Sequence, residues 1–310
     1  MKMFYDVVVL GSINMDVRVE TNNYPEYSET VFANKIEMLP GGKGSNQAVS
    51  VAKQGKKLAF LGAVGQDSAG KQMLQNLENK GILTSYILQT NKAGTGTFVA
   101  IVDNSGENTM VGTMGANETL LKEDIREVFS DIEAKVLLLQ METSRESIIE
   151  TMKIAKEKNM YTILDPAPAD GYFEEALKYA SLVTPNQQET EKITGIKVVD
   201  EETAFEAAKK IHAMGVPDVI IKMGNKGSLV YKNGEKVLVD SIKVKAVDTV
   251  GAGDTFAGAL AATLVDTDNL VEAVRFANIA AGIKVSRFGG QEAIPTKEEV
   301  MEYQKEAITQ

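Results

Sequence analysis

Thr249-Val250-Gly251-Ala252-Gly253-Asp254-Thr255-Phe256 sets a carboxylate directly behind a Gly-Ala-Gly turn, ahead of small and apolar residues. That run, Thr255 to Val265, reads as a buried helix. Backbone N–H groups in such a turn, at a helix N-terminus, make a site for an anion. A carboxylate in the same place repels an anion unless it serves as a base for a neighbouring group. Anion cradle plus base is the combination that phosphoryl transfer to a hydroxyl needs. Asp248, just before the turn, is a second carboxylate able to bind a cation or cap the turn.

Four other segments carry chemistry. Gly11-Ser12-Ile13-Asn14-Met15-Asp16 follows the first apolar strand, where ligands of open α/β sheets bind. Asn14 and Asp16 share a side of an extended chain and could grip vicinal hydroxyls; a capped turn explains them equally well. Gly41-Gly42-Lys43-Gly44-Ser45-Asn46 lets backbone approach a ligand, with Lys43 and Asn46 as donors at a helix start. It is not a Walker motif. Asn186 and Glu189 fall on one helical face and could organise Mg²⁺; on residue grammar alone, a capping box is the better reading. Lys222-Met223-Gly224-Asn225-Lys226-Gly227 could admit a nucleotide base or phosphate, or be a plain turn. A dinucleotide fold would need its glycine fingerprint right after the first strand, and Gly-Ser-Ile-Asn stands there instead.

Composition narrows the choices. The 310 residues include no cysteine, which excludes disulfides, thiolate zinc sites and cysteine nucleophiles. The single histidine, His212, sits in a helical pattern without a nearby serine, and reads as a surface residue. A net charge of −10 argues against a nucleic-acid or anionic-membrane partner. Asp6 beside the short apolar run 7–10 reads unlike a signal peptide, and no uncharged apolar run approaches the roughly 18 residues of a spanning helix. A cytoplasmic protein is the expectation.

The elements that must position these groups follow from periodicity. Val7 to Leu10 is a continuous apolar run, hence a buried parallel-type strand. Val17 to Glu20 and Val31 to Met38 alternate and predict half-exposed strands around a turn at Tyr24-Pro25 and Ser28. Thr97 to Val102 and Asn108 to Gly112 flank a hairpin signal at Asn104-Ser105-Gly106. Elsewhere strands and helices alternate: helices over 44–54, 70–80, 145–158, 173–179, 189–194 and 204–214, and strands over 58–64, 136–140, 161–164, 182–184 and 219–223. A hairpin turns at Asn233-Gly234, and three helical stretches close the chain, the last from near Thr296. This predicts one α/β domain over 1–310. A mostly parallel sheet carries helices on both faces, and strands within 15–40 and 97–112 form a small β-sheet lid.

In this order, the segments resemble the ribokinase family of sugar kinases, from the first strand to Pro295. The most specific motifs are Gly41 to Ala48 and Asp248 to Phe256; Asp165-Pro166-Ala167-Pro168-Ala169 and Thr184 through Ile196 add support. The resemblance implies transfer of a phosphoryl group from ATP to a sugar, with the 5-hydroxyl of D-ribose as the expected acceptor. 2-Deoxyribose, fructose, another pentose or a nucleoside are alternatives, and a non-catalytic sugar sensor is a reading of another class. It further implies that Asn14, Asp16, Gly42, Lys43, Asn46 and Glu142 hold sugar hydroxyls, with Asp254 as base and Gly251, Ala252 and Gly253 as anion hole. Asn186, Lys222, Gly224, Gly227 and Asn278 match positions around ATP, within a segment that includes Met223, Asn225 and Lys226. Glu189 matches an acid that organises Mg²⁺ through water. Asp248, Val250, Lys284, Arg287, Gly289 and Ala293 match a loop that holds an activating K⁺ by backbone oxygens. Two lids of the family clasp into a homodimer. Three residues depart from the pattern: Lys222 for threonine, Ala293 for serine and Asp165 for asparagine.

Overall fold

The computed structural model describes residues 2–104 and 108–309. Nine strands form the main sheet. In chain order its members are β1 (Met3–Leu10), β4 (Leu58–Gly65), β5 (Ile87–Thr90), β8 (Ile132–Leu139), β9 (Tyr161–Leu164), β10 (Leu182–Val183), β11 (Asp218–Lys222), β12 (Ser228–Lys232) and β13 (Glu235–Val239). Their spatial order is β13-β12-β11-β10-β9-β8-β1-β4-β5. Pairing is parallel from β5 across to β11, and antiparallel only through the β11–β12–β13 edge. The central strands are continuous apolar runs because helices cover both faces. Val8 and Leu10 point into one core layer, and Val7 and Val9 into the other.

A second sheet, order β3-β2-β6-β7, is built from β2 (Asn14–Glu20), β3 (Lys35–Gly41), β6 (Gly96–Val102) and β7 (Asn108–Thr113). Strand β2 follows β1 directly, so the small sheet grows from the C-terminal end of the main one. Pro40 is tolerated because β3 is an edge strand. Nine α-helices complete the described residues: α1 (Lys43–Lys53), α2 (Ser68–Asn79), α3 (Lys122–Asp131), α4 (Arg145–Glu157), α5 (Gln187–Thr194), α6 (Glu201–Ala213), α7 (Ala252–Leu264), α8 (Leu270–Val285) and α9 (Lys297–Thr309).

The strand expected over 31–38 begins at Lys35 and continues to Gly41. The segment expected as a helix over 173–179 is a 3₁₀ turn, Glu174–Tyr179. Strand β5 and helix α3 were not anticipated. The former is only four residues long, and the apolar stripe of the latter is thin, with Ile125 and Phe129 buried. Of the Asn104-Ser105-Gly106 turn, Ser105 and Gly106 lie outside the described residues, but β6 and β7 pair antiparallel as that turn requires.

Sheet order reverses at β1, which lies between β8 and β4. Ligands of open α/β sheets bind beyond the strand C-termini at such a switch point. Ser12 follows β1 and Glu142 follows β8, and the Ser12 hydroxyl donates to the Glu142 carboxylate at 2.5 Å across that gap.

Candidate active site

Two glycine-capped helix starts meet here. Gly42 (φ 89°) caps α1 and Gly251 (φ 75°) caps α7, neither with a side-chain cap. The helices pack closely because Gly258 lets the α7 backbone approach Ser50, whose hydroxyl donates to the Thr255 carbonyl at 2.9 Å. This contact aligns the first turns. Asn46 Nδ2 donates to Asp254 Oδ2 at 3.0 Å, and Gln47 Nε2 donates to Asp254 Oδ1 at 3.2 Å. Asp254 is buried in the first turn of α7, where the helix dipole favours a negative charge.

On one side of Asp254 opens a cleft of about 640 Å³. Gly251, Ala252, Gly253, Asn186, Glu189, Lys222, Gly224, Asn225, Gly227 and Asn278 line it. A Cβ on Gly253 would meet only Lys222 Nζ, at 3.8 Å, so this turn faces open space beside an ammonium. Met223 is buried beneath the cleft, and Lys226 turns away to donate to the Val199 carbonyl at 2.6 Å. Asn278 accepts from the Ser228 hydroxyl and donates to the Val239 and Asp240 carbonyls, which fixes the cleft wall.

On the other side of Asp254 lie Asn14, Asp16, Gly42, Asn46 and Glu142, at the root of the small sheet. Asn117 Nδ2 donates to Asn14 Oδ1 at 2.8 Å, and the Lys43 amide donates to Glu142 Oε2 at 3.3 Å. The Asp16 carboxylate packs on Gly41, where any Cβ would overlap it. Burial, then the negative charges of Glu142 and Asp254, push the Asp16 carboxyl up to about 6. Burial likewise raises Glu142, against the pull of Lys43. Lys43 lines the cleft and lies well above the ordinary lysine value, chiefly because of Asp254. A cationic group thus sits where the two sides join.

Residues 5–297 match the model of the pfkB family of carbohydrate kinases. The chain belongs to that family. Over 302 residues it is 36% identical to the ribokinase of Haemophilus influenzae, covering 97% of this chain and 99% of that protein. It is 32% identical to a deoxyribokinase of Salmonella typhi, covering 96% and 98%. A structure of Arabidopsis thaliana ribokinase complexed with ribose and ATP superposes with a TM-score of 0.92 at 32% identity, covering 98% of this chain and 99% of that one. The protein is therefore a sugar kinase with the ribokinase-like fold, a phosphotransferase. None of the described helices is long and apolar enough to cross a membrane.

Two of the kinase's departures from the family pattern are one feature. Lys222 Nζ donates to Asp165 Oδ1 at 2.8 Å, and Gln47 Nε2 donates to the other Asp165 oxygen at 2.9 Å. Asp165 is buried, and a buried charge needs such a partner. Burial works against the Lys222 charge, but Asp165 and Glu189 outweigh it and hold its pKa above the ordinary lysine value.

The capping box at Asn186 and Glu189 is real. Asn186 Oδ1 accepts from the Glu189 amide, and Glu189 Oε2 accepts from the Asn186 amide at 2.7 Å. Asn186 Nδ2 takes Oε1 at 2.8 Å, so both carboxylate oxygens have protein donors. No cluster of three or more acidic, histidine or cysteine side chains able to hold a metal occurs among the described residues. This donor set suits a Mg²⁺ ion that keeps its waters and reaches Glu189 through them.

The residues expected to hold K⁺ gather around Asp248. An alkali cation needs several oxygens free to converge on it. Here the Asp248 carbonyl accepts from Lys284 Nζ at 3.0 Å, while the Asp248 carboxylate accepts from the Val250 and Gly289 amides. The Lys284 carbonyl accepts from the Arg287 amide, and the Arg287 side chain pairs with Glu299 at 2.7 Å. Ala293 is buried and offers no side-chain oxygen, and Val250 is largely exposed. The loop holds an ammonium of its own.

Sequence reasoning missed Gln47, Asn117 and Gln140. Gln47 bridges Asp254 and Asp165, and Gln140 Nε2 fixes it by donating to its Oε1 at 2.6 Å. Gln47 was legible in principle, four residues after Lys43 and so on the same helix face. Asn117 reaches Asn14 from a 3₁₀ turn a hundred residues away, and no local pattern marks it.

Proposed function

We propose that this kinase transfers the γ-phosphoryl group of ATP to the 5-hydroxyl of D-ribose. One observation carries the reading: Asp254 borders both the open glycine turn of α7 and the polar group Asp16, Asn46 and Glu142. The sugar hydroxyls bind Asn14, Asp16, Asn46, Lys43, Glu142 and the Gly42 backbone. Asp254 takes the proton of the 5-hydroxyl as that oxygen bonds to the γ-phosphorus. The bond from the γ-phosphorus to the β–γ bridging oxygen breaks, and ADP leaves. Negative charge on the transferring group meets the turn of Gly251, Ala252 and Gly253, through the amides of its two glycines, and the Lys222 ammonium. The nucleotide lies along Asn186, Gly224, Asn225, Gly227 and Asn278. Glu189 would hold a Mg²⁺ ion through water, and that ion would supply charge neutralisation at the phosphate oxygens. The small sheet acts as a lid that excludes water, the competing acceptor. Use of ATP goes with a cytoplasmic site of action.

Alternation in the lid puts Val17, Val19, Ile36, Met38, Val99, Ile101 and Val111 on one face, of which Ile36, Met38 and Val111 are well exposed. Covering this face with a second copy is the homodimer we propose, and sedimentation would detect it. The acceptor is tested with a panel of sugars and Mg-ATP, following phosphate transfer by ³¹P NMR. Ribose should give the highest kcat/KM; a preference for 2-deoxyribose would remove ribose as the substrate.

A further inference from the structure

Lys284 has no exposed surface, yet it stands in the last turn of α8 beside Asp248. The Val247 and Asp248 amides both donate to the Val285 carbonyl, at 2.8 and 3.1 Å. The Asp248 carboxylate accepts from Val250 and Gly289 amides at 3.0 and 3.3 Å. The Asp248 carbonyl takes Lys284 Nζ at 3.0 Å, with the carboxylate Oδ2 3.7 Å from the same nitrogen. A carbonyl and a carboxylate oxygen converging at a helix C-terminus make surroundings for a cation. Here the cation is part of the chain. Burial lowers the Lys284 pKa, while Asp248 and Asp254 act to keep it charged.

From Asp248 the chain runs directly into the turn that caps α7. The Thr249 carbonyl accepts from the Ala252 amide at 3.2 Å, and Gly251 follows in its left-handed conformation. Whatever orders Asp248 therefore orders Gly253 and Asp254.

We propose that the Lys284 ammonium is the built-in cation of this turn, so that the kinase needs no added monovalent metal ion for turnover. Lys284 contacts neither sugar nor nucleotide; it is a positioning residue. The inference rests on reading 251–254 as the phosphoryl-transfer turn.

The test compares the full chain in potassium chloride and in tetramethylammonium chloride at equal ionic strength, reading kcat/KM, Mg-ATP affinity by calorimetry, and Tm. For the wild type, rate and affinity should agree within about twofold between the two salts, a free-energy difference too small to signify a bound cation. Lys284→Met in tetramethylammonium should lose about 10²-fold in kcat, the scale of a misplaced catalytic turn. Potassium or ammonium ions should restore most of that loss, and raise ATP affinity and Tm in parallel, which loss of packing alone would not permit. Three results would overturn the proposal: a wild type activated about tenfold or more by potassium, a Lys284→Met enzyme fully active without either ion, or one that neither ion rescues. If Lys284→Met does not fold, the wild-type comparison decides: cation-independent affinity supports the proposal and potassium-dependent affinity overturns it. If no sugar is phosphorylated, the calorimetric comparison still tests Lys284, and only the catalytic reading fails.

Discussion

Two helices of this kinase begin alike and are used differently. Both α1 and α7 start at a glycine of positive φ without a side-chain cap. Around the start of α1 the space is full. A Cβ on Gly44 would lie 2.4 Å from the Gly11 carbonyl carbon, and one on Gly42 would lie 2.8 Å from the Asn14 nitrogen and the Ser12 carbonyl oxygen. Its first amides are taken by protein, through Glu142 and the Ser12 carbonyl. Around the start of α7 the space is open, and the nearest atoms to added Cβ groups on Gly251 and Gly253 are Asn46 Nδ2 at 4.0 Å and Lys222 Nζ at 3.8 Å. Glycines at 42–44 let backbone meet backbone; glycines at 251–253 leave room for what is not protein. The same motif type closes backbone against backbone in one place and leaves open space in the other.

Beside Asp254 itself, the largest expected effect is at Gly44. Gly44→Ala forces backbone against backbone and should cost about 3 kcal/mol or more by chemical denaturation. Gly253→Ala should leave stability within about 0.5 kcal/mol and instead lower kcat, by about tenfold, by crowding the phosphoryl group. A destabilised Gly253→Ala, or a stable Gly44→Ala, would break the distinction between the two turns. Smaller again is the effect of pH through Asp16. With its carboxyl pushed up to about 6, sugar affinity should weaken as pH falls below that value, visible as a rising KM for the sugar. The stability effect has the opposite sign. A carboxyl with a raised folded pKa contributes stability that is present below its unfolded value of 3.8 and lost as pH rises through about 6. Asp16→Asn should therefore raise Tm at about pH 8 and change it little at about pH 4, while weakening sugar binding at neutral pH.

The same contrast explains what could be read in the sequence. The α7 turn was legible because its chemistry is local: glycines, a carboxylate and a buried helix lie in one octapeptide. The strand–helix alternation and the lid strands were legible from periodicity. The α1 turn looked like weak evidence alone, since nothing in Gly41 to Asn46 says that its glycines face the Gly11–Ser12 backbone. The Asp165–Lys222 pair was invisible because its halves are 57 residues apart and each looked like an isolated departure. The side chain of Lys284 was illegible for a related reason. Its backbone position matched a cation loop, and only packing shows that its side chain turns inward to that loop.

The central claim is that Asp254 takes a proton from a hydroxyl held at one turn for a phosphoryl group held at the other. The measurement closest to it is a single-turnover experiment on Asp254→Asn with ribose and Mg-ATP, alongside calorimetry of each ligand. The account predicts affinities within about threefold of wild type and a transfer step slowed by about 10²–10⁴-fold. A transfer step of normal speed, with weakened sugar binding instead, would contradict it.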